Sequence, residues 1–265
     1  MSDVVCTSPH HSTERILKHE ELWDRNELLN PGRKKEGGLR TKGIHKKSYP
    51  DKPLVSIVTV VLNREKYLEE AIRSVIDQSY DNIEYIIVDG GSKDGTLDII
   101  KKYEPHIDYW VSEPDKGIFD AMNKGIGLAS GEWVYFLCSD DSLYTKDVID
   151  GIFSRKSLLS ADVLYGNVLL KQSRKIYDGK FNRTKITIKN ICQQSIFFRT
   201  ELFRILGKHG LRYKVFADYV FNLRWFGNKN VKRVYLHEIM AVYDETGFSA
   251  HNKDEQFERD SELLI

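Results

Sequence analysis

Residues 54–62 read Leu-Val-Ser-Ile-Val-Thr-Val-Val-Leu, nearly all apolar and mostly β-branched. A run of this kind suits a strand covered on both faces, at the centre of a parallel sheet. It is interrupted by Thr59 and far too short to cross a bilayer. From Asn63 to Asp141 helical and strand periods then alternate. A helical stretch places Leu68, Ala71, Ile72, Val75 and Ile76 on one face, with Asn63 a candidate N-cap before it. A second strand is predicted over Ile83–Val88, a helix over Leu97–Tyr103 and a short strand over Tyr109–Val111. A helix over Ile118–Ala129 then leads to a strand that runs into Ser139-Asp140-Asp141. The β-α-β-α-β-α-β alternation predicts a doubly wound, mainly parallel sheet flanked by helices. After residue 145 the pattern loosens. A helix over Asp147–Arg155, strands over Val163–Val168 and Ser195–Phe198, and a helix over Asp218–Phe226 are predicted. Late strands over Val231–Leu236 and Ile239–Tyr243 complete a mixed or antiparallel second half.

Composition narrows the class. The chain has 265 residues, 41% hydrophobic and 30% charged, as in a soluble globular protein. Its net charge of +1 supplies no field that would draw nucleic acid, and no nucleic-acid partner is expected. Three cysteines, Cys6, Cys138 and Cys192, match no zinc spacing and fit a reduced, cytoplasmic setting. The N-terminus shows no signal-peptide apolar stretch. Charge is uneven along the chain, with basic stretches between Pro31 and Lys52 and from Arg174 to Lys189. Such stretches are ordinary solvated surface or a contact with anionic lipid head groups or a phosphate-bearing acceptor. Residues 1–52 read as a basic extension, with helical periodicity over Thr13–Leu29. Residues 53–250 form the main domain, and 251–265 a tail.

Polar groups collect at the predicted strand ends, where open α/β sheets bind ligands. Asn63 ends the first strand and Asp89, before Gly90-Gly91, the second. Asp140 and Asp141 end the fourth. Adjacent carboxylates repel unless a cation offsets them, and a hard divalent cation commonly bridges carboxylates to phosphates. Asp140 and Asp141 therefore suggest a metal–diphosphate site; equally, Asp140, Asp141 or Ser142 could cap a helix starting near Lys146. Asp120, Asn123 and Lys124 share one helix face and could hold a sugar or a diphosphate, or form a solvated pair.

Five motifs in order carry a resemblance. They are Leu54–Asn63, Val88–Thr96, Glu113-Pro114-Asp115-Lys116-Gly117, Asp120–Gly125 and Ser139-Asp140-Asp141. The chain resembles family 2 glycosyltransferases of the GT-A fold, especially bacterial surface-polysaccharide enzymes, strongly over 53–145 and more weakly to about 250. The resemblance implies a GT-A, Rossmann-like sheet with a nucleotide-sugar half (53–145) and a mixed acceptor half (146–250). It implies that Asn63 and Asp89 hold the base, and that Asp115, Asp120, Asn123 and Lys124 line the donor pyrophosphate and sugar. Ser139-Asp140-Asp141 is similar to the family's DxD motif with Ser139 in place of the first acid. Asp140 would then approach the ribose and Asp141 would bind Mg2+ or Mn2+. The segment around Asp218 resembles the one supplying the general base. Gln193 stands where the family often has His, so Gln193 and Gln194 are left a binding role. The stretch from Tyr243 to Ser249 resembles a loop that closes over the donor. His237 and His251 are expected to be structural or surface residues rather than further ligands.

The resulting expectation is a metal-dependent, inverting transferase in surface polysaccharide biosynthesis. It would move a sugar from a nucleotide-sugar, most simply a UDP-sugar, to a saccharide acceptor. A lipid-diphosphate-linked acceptor and peripheral contact with the anionic inner face of a membrane fit the family. Two rivals stand beside it. One is an inactive nucleotide- or glycan-binding module. The other is a sugar nucleotidyltransferase, whose Gly-rich loop after the first strand is replaced here by Asn63-Arg64-Glu65-Lys66.

Overall fold

The computed structural model describes residues 35–264; the helix expected over 13–29 lies outside them. The first strand expected from sequence is β2 (Val55–Val61), preceded by a short edge strand β1 (Lys35–Gly37). Helix α1 (Leu68–Ile76), β3 (Ile83–Asp89), α2 (Thr96–Lys102), β4 (Tyr109–Ser112), α3 (Ile118–Leu128) and β5 (Trp133–Cys138) come next, as the periodicity predicts. Strands β4, β3, β2 and β5 pair in parallel, in that order. The GT-A-like, mostly parallel α/β architecture is therefore present.

The second half extends the same sheet by other means. It contains β6 (Ser142–Leu143), α4 (Val148–Phe153), β7 (Val163–Leu170), β8 (Ile176–Tyr177), α5 (Arg183–Ile188) and β9 (Ile196–Arg199). It ends with α6 (Leu202–Ile205), α7 (Ala217–Gly227), β10 (Arg233–Tyr243), α8 (Phe248–His251) and α9 (Glu255–Leu264). Strand β9 inserts antiparallel between β5 and β7, and β10 runs parallel to β7 and antiparallel to β6.

Alternate side chains of β2 enter two separate cores. Val58 and Val60 meet α3 and the α7 layer, while Val55, Ile57 and Val61 meet α1, α2 and α4. The packing of α3 is close enough that a Cβ on Gly125 would lie 2.3 Å from Val58 Cγ1. Burial of these β-branched side chains removes apolar surface from water at both faces, the main term holding such a sheet.

Three local expectations are corrected. The late strands 231–236 and 239–243 are one strand, β10, with a bulge between Tyr235 and Ile239. Asn167 Nδ2 donates to the bulged carbonyls of His237 (3.0 Å) and Glu238 (3.4 Å), which stabilises the irregularity. Asn63 is no N-cap. It sits at φ 53°, its Oδ1 accepts from Lys93 N at 2.8 Å, and α1 starts only at Leu68. The acid pair caps no helix either, since β6 comes directly after it and α4 begins at Val148.

Residues 35–52 lie along the sheet. β1 pairs with β4. Arg40 donates to Leu128 O (2.7 Å) and pairs with Glu84, and Lys46 pairs with Asp108 at 2.8 Å. Residues 252–264 also dock. Asp254 Oδ2 accepts from Val215 N (2.8 Å) and Phe216 N (3.3 Å), and Phe257 packs on Tyr213, Phe216 and Tyr219. Among the described residues no helix is long and apolar enough to cross a membrane.

Candidate active site

A cavity of about 940 Å³ opens at the C-terminal ends of β2 and β5 and reaches α3, α7 and the chain after β10. Asn63, Asp115, Asp120, Asp140, Asp141 and Asp218 all line it. The strand-to-loop transition creates this position. Backbone pairing ends at Cys138, and the next three residues turn their side chains out of the ladder at the sheet's rim.

Asp141 is 3% exposed. Its Oδ1 accepts from Asp244 N at 2.8 Å, while its Oδ2 is buried with no hydrogen-bond partner. Burial, reinforced by repulsion from Asp140, holds its carboxyl well above the usual range. Burial also raises Asp140, with the Arg64 guanidinium opposing. Asp244 goes the other way. Burial acts on it too, but bonds from the Thr246 hydroxyl (2.6 Å), Thr246 N (2.9 Å) and Gln172 Nε2 (3.0 Å) lower it. A Cβ on Gly247 would come 3.0 Å from Asp140 Oδ2, so the segment after β10 closes tightly on the acid pair. A buried, unpartnered carboxylate oxygen is unfavourable and is the atom a hard cation would take. Among the described residues no group of three His, Cys, Asp or Glu is arranged to hold a metal.

The other predicted donor residues divide. Asp115 lines the cavity, its Oδ1 accepting from Gly117 N at 2.8 Å; burial raises its carboxyl. Its Oδ2 lies where a Cβ on Gly90 would stand, at 2.3 Å, so Gly90 makes room for it. Asp120 Oδ2 accepts from Lys116 N at 2.9 Å. Asp89 is fully buried beneath the surface, accepting from Ser112 Oγ (2.6 Å), Ser92 N (3.0 Å) and Gly91 N (3.2 Å); it shapes the turn. Asn123 and Lys124 do not line the cavity. Asn123 clamps His209 through Nδ2 to its carbonyl (2.8 Å) and Oδ1 to its N–H (3.0 Å). Lys124 binds Glu113 (3.0 Å) and Pro114 O (2.8 Å), bracing the 113–117 loop from behind. His237 and His251 are exposed and away from the cavity.

Asp218, in the first turn of α7, lines the same cavity. Burial pushes its carboxyl up to about 6, against bonds from Tyr219 N (2.8 Å) and Asn190 Nδ2 (2.9 Å). Tyr177, Leu211, Tyr213 and Phe216 give the cavity an apolar wall. Gln194 is engaged with two thiols: its Nε2 contacts Cys138 Sγ (3.0 Å) and its Oε1 accepts from Cys192 Sγ (3.2 Å). Neighbouring Gln193 is buried with its amide unpartnered. Sequence reading missed Asn190 and Asp244 as site residues. Asn190 carries no local signal, lying 28 residues from Asp218. Asp244 falls inside the 243–249 loop, where only the loop as a whole stood out.

Comparison with known proteins agrees with this geometry. The chain is 36% identical over 200 residues to a "PGL/p-HBAD biosynthesis glycosyltransferase" of Mycobacterium bovis, covering 74% of this chain and 78% of that protein. Its fold is similar to Staphylococcus aureus TarS 1–349 solved with UDP-GlcNAc (TM-score 0.68, 20% identity, 80% of this chain and 66% of that one). Against a longer TarS chain, the match covers 39% of that protein's length. It is also similar to the mannosyltransferase PcManGT of Pyrobaculum calidifontis, solved with GDP-Man and Mn2+ (TM-score 0.59, 17% identity, 91% of this chain and 74% of that one). The family model described as "Glycosyl transferase family 2" matches residues 56–219, from within β2 to one residue past Asp218. That span contains Asp140, Asp141 and Asp218, all of which line the cavity, and the chain belongs to glycosyl transferase family 2.

Proposed function

We propose that this protein transfers a sugar from a nucleotide-sugar to an acceptor hydroxyl with inversion at the anomeric carbon. One observation carries the reading. A single cavity is lined by the acid pair Asp140 and Asp141 and by Asp218 of α7, whose carboxyl is pushed up to about 6. A base with that value is poised to accept a proton near neutral pH. The acceptor oxygen attacks the anomeric carbon, its proton passes to Asp218, and the bond from that carbon to the diphosphate oxygen breaks with its electrons. A single displacement inverts the centre, and no protein nucleophile is required.

Asp141, through its unpartnered Oδ2, would hold Mg2+ or Mn2+, with Asp140 toward the ribose. When bound, such an ion neutralises charge on the departing nucleoside diphosphate. Asn63, Arg64 and Asp115 border the nucleotide side. UDP is the favoured carrier because the TarS structures hold UDP and UDP-GlcNAc, while the more distant PcManGT holds GDP-Man.

The acceptor in this reading is a saccharide on an apolar carrier. The Tyr177, Leu211, Tyr213 and Phe216 wall supports it, as do relatives named for PGL/p-HBAD biosynthesis. Such a carrier would reside in a membrane at the cytoplasmic face. Next to the cavity, among the described residues, Arg174, Lys175, Lys180 and Arg183 form no ion pairs, and Ile176 and Ile188 stand exposed. This patch suits an anionic bilayer, whereas Arg40, Lys42, Lys46 and Lys52 are already paired with carboxylates.

The test pairs titration calorimetry of UDP, with and without Mn2+, with a transfer or donor-hydrolysis assay. Asp218→Asn is expected to lower turnover about 10²- to 10⁴-fold while UDP binding persists. Asp141→Ala is expected to lose the Mn2+-dependent part of UDP binding. Wild-type turnover in Asp218→Asn would sink the assignment; binding without turnover on any donor by the wild type would mark a binding module instead.

A further inference from the structure

Behind Asp218 runs a chain of side-chain hydrogen bonds that no feature of the fold requires. Trp225 is fully buried, and its Nε1 donates to Asn222 Oδ1 at 2.8 Å. Asn222 is also fully buried. Its Nδ2 donates to Asn190 Oδ1 at 2.8 Å and to Ile191 O at 3.2 Å. Asn190 Nδ2 in turn donates to Asp218 Oδ2 at 2.9 Å. The polarity of this chain is fixed at its buried end. An indole N–H can only donate, so Asn222 must present its oxygen to Trp225 and its NH2 to Asn190. Both Asn222 amide hydrogens are then used on acceptors, so a flip would oppose donor to donor and carbonyl to carbonyl. Asn190 must accept from Asn222 and therefore turns its NH2 toward the cavity. The Tyr177 hydroxyl, donating to Asn190 O at 2.7 Å, fixes the backbone of the last link.

We infer that Trp225, Asn222 and Asn190 form a one-way chain of donors that positions the Asp218 carboxylate to receive the acceptor's proton. Asn190 and Asn222 are positioning residues, and the inference rests on Asp218 being the base. With Tyr219 N on Oδ1 and Asn190 on Oδ2, both oxygens are held and the carboxylate plane is set, while each oxygen keeps a lone pair. A donor aimed at the carboxylate favours its ionised form and opposes the burial that raises it. The cation Lys214 lines the same cavity, and the other titratable groups beside Asp218 are Tyr177 from β8, Cys192 from the turn before β9, and Tyr219 on α7. Burial pushes all three up, so they stay neutral where Asp218 titrates. Beyond Tyr177, Asp178 is neutralised by Lys185 (2.9 Å) and Lys189 (2.6 Å).

The test is the pH dependence of kcat for wild type, Asn190→Ala, Asn222→Asp and Asp218→Asn, with UDP binding and thermal melts as checks of folding. Asn190→Ala removes the donor at the cavity edge. Its acid limb is expected to move up by about one pH unit, with kcat recovering on the alkaline side and the donor KM unchanged. Asn222→Asp keeps shape but presents only acceptors, so Asn190 reverses and shows Asp218 its carbonyl. The limb should move in the same direction. An equal loss of kcat at every pH, with the limb unmoved in both variants, would overturn the relay and leave only packing. Full turnover in Asp218→Asn would overturn the base assignment itself, a separate result from an unmoved limb.

Discussion

A carboxyl raised to about 6 works against folding wherever it is ionised. For Asp218 the sign comes from its direction. The folded state holds the proton more tightly than the unfolded chain, whose value is the ordinary 3.8. The contribution to stability is therefore complete below about pH 4 and is lost as pH rises through 6. Asp218→Asn, which cannot ionise, should be more stable than wild type at pH 7.5 by roughly 1–3 kcal/mol, and equal to it near pH 3.5. Thermal or urea unfolding at the two pH values measures this; a variant less stable at pH 7.5 would contradict it. The proposed general base is thus held at a cost to the fold. Among single residues, Asn63, Asp140 and Asp141 were visible at predicted strand ends and line the cavity, whereas Asp115 stood out only through the resemblance. Asn190 and Asn222 were invisible, since nothing local to Asn190 reveals that an indole thirty-five residues further on fixes its amide.

At the level of elements, the first half was legible because each βα unit is written in consecutive residues. Hydrophobic period, strand run and turn glycines agree for β2, β3, β4 and β5. The second half pairs strands far apart. β9 crosses to lie between β5 and β7, and β10 aligns with β7 seventy residues earlier, from Arg233 opposite Val163. Distant pairings leave no local period, and the bulge at His237-Glu238 read as a break between two strands. Helix α3 shows the same limit. Helical spacing grouped Asp120, Asn123 and Lys124 on one face, yet of the three only Asp120 lines the cavity, while Asn123 is spent on His209 and Lys124 on Glu113 and Pro114.

What Asn123 does hold is the loop carrying His209, an imidazole caged by Phe119, Phe136, Phe203 and Phe221 with both ring nitrogens unpartnered. Burial lowers it to about 3. Its contribution to stability is full above about pH 6.5 and is lost as pH falls toward 3. By pH 4.5 the loss amounts to ~2–3 kcal/mol. His209→Phe should flatten the fall in melting temperature between pH 7 and 4.5. An unchanged pH slope would show that His209 is not the group responsible.

For the whole molecule, net charge says little and its distribution says more. The basic residues from Arg40 to Lys52 are tied to the β3 and β4 side of the sheet, while those from Arg174 to Arg183 carry no ion pair among the described residues and stand beside the cavity. Replacing Arg174, Lys175, Lys180 and Arg183 with Glu should abolish co-sedimentation with vesicles rich in anionic lipid, each lost cation weakening binding by about 1 kcal/mol. Turnover on a water-soluble acceptor should stay near wild type. Retained sedimentation would remove this patch from the membrane reading.

The chain after β10 touches two parts of the cavity lining: Asp244 and Gly247 lie against the acid pair, while Asp254 and Phe257 clamp the segment from Tyr213 to Tyr219. On the proposed reading, donor choice and acceptor choice are mechanically linked and will resist being redesigned one at a time. Grafting residues 211–216 from a relative disturbs the seat of Phe257, and through it the segment after β10 that lies against Asp140 and Asp141. A chimera that exchanges 211–216 together with 244–260 respects that linkage; one that exchanges either alone does not.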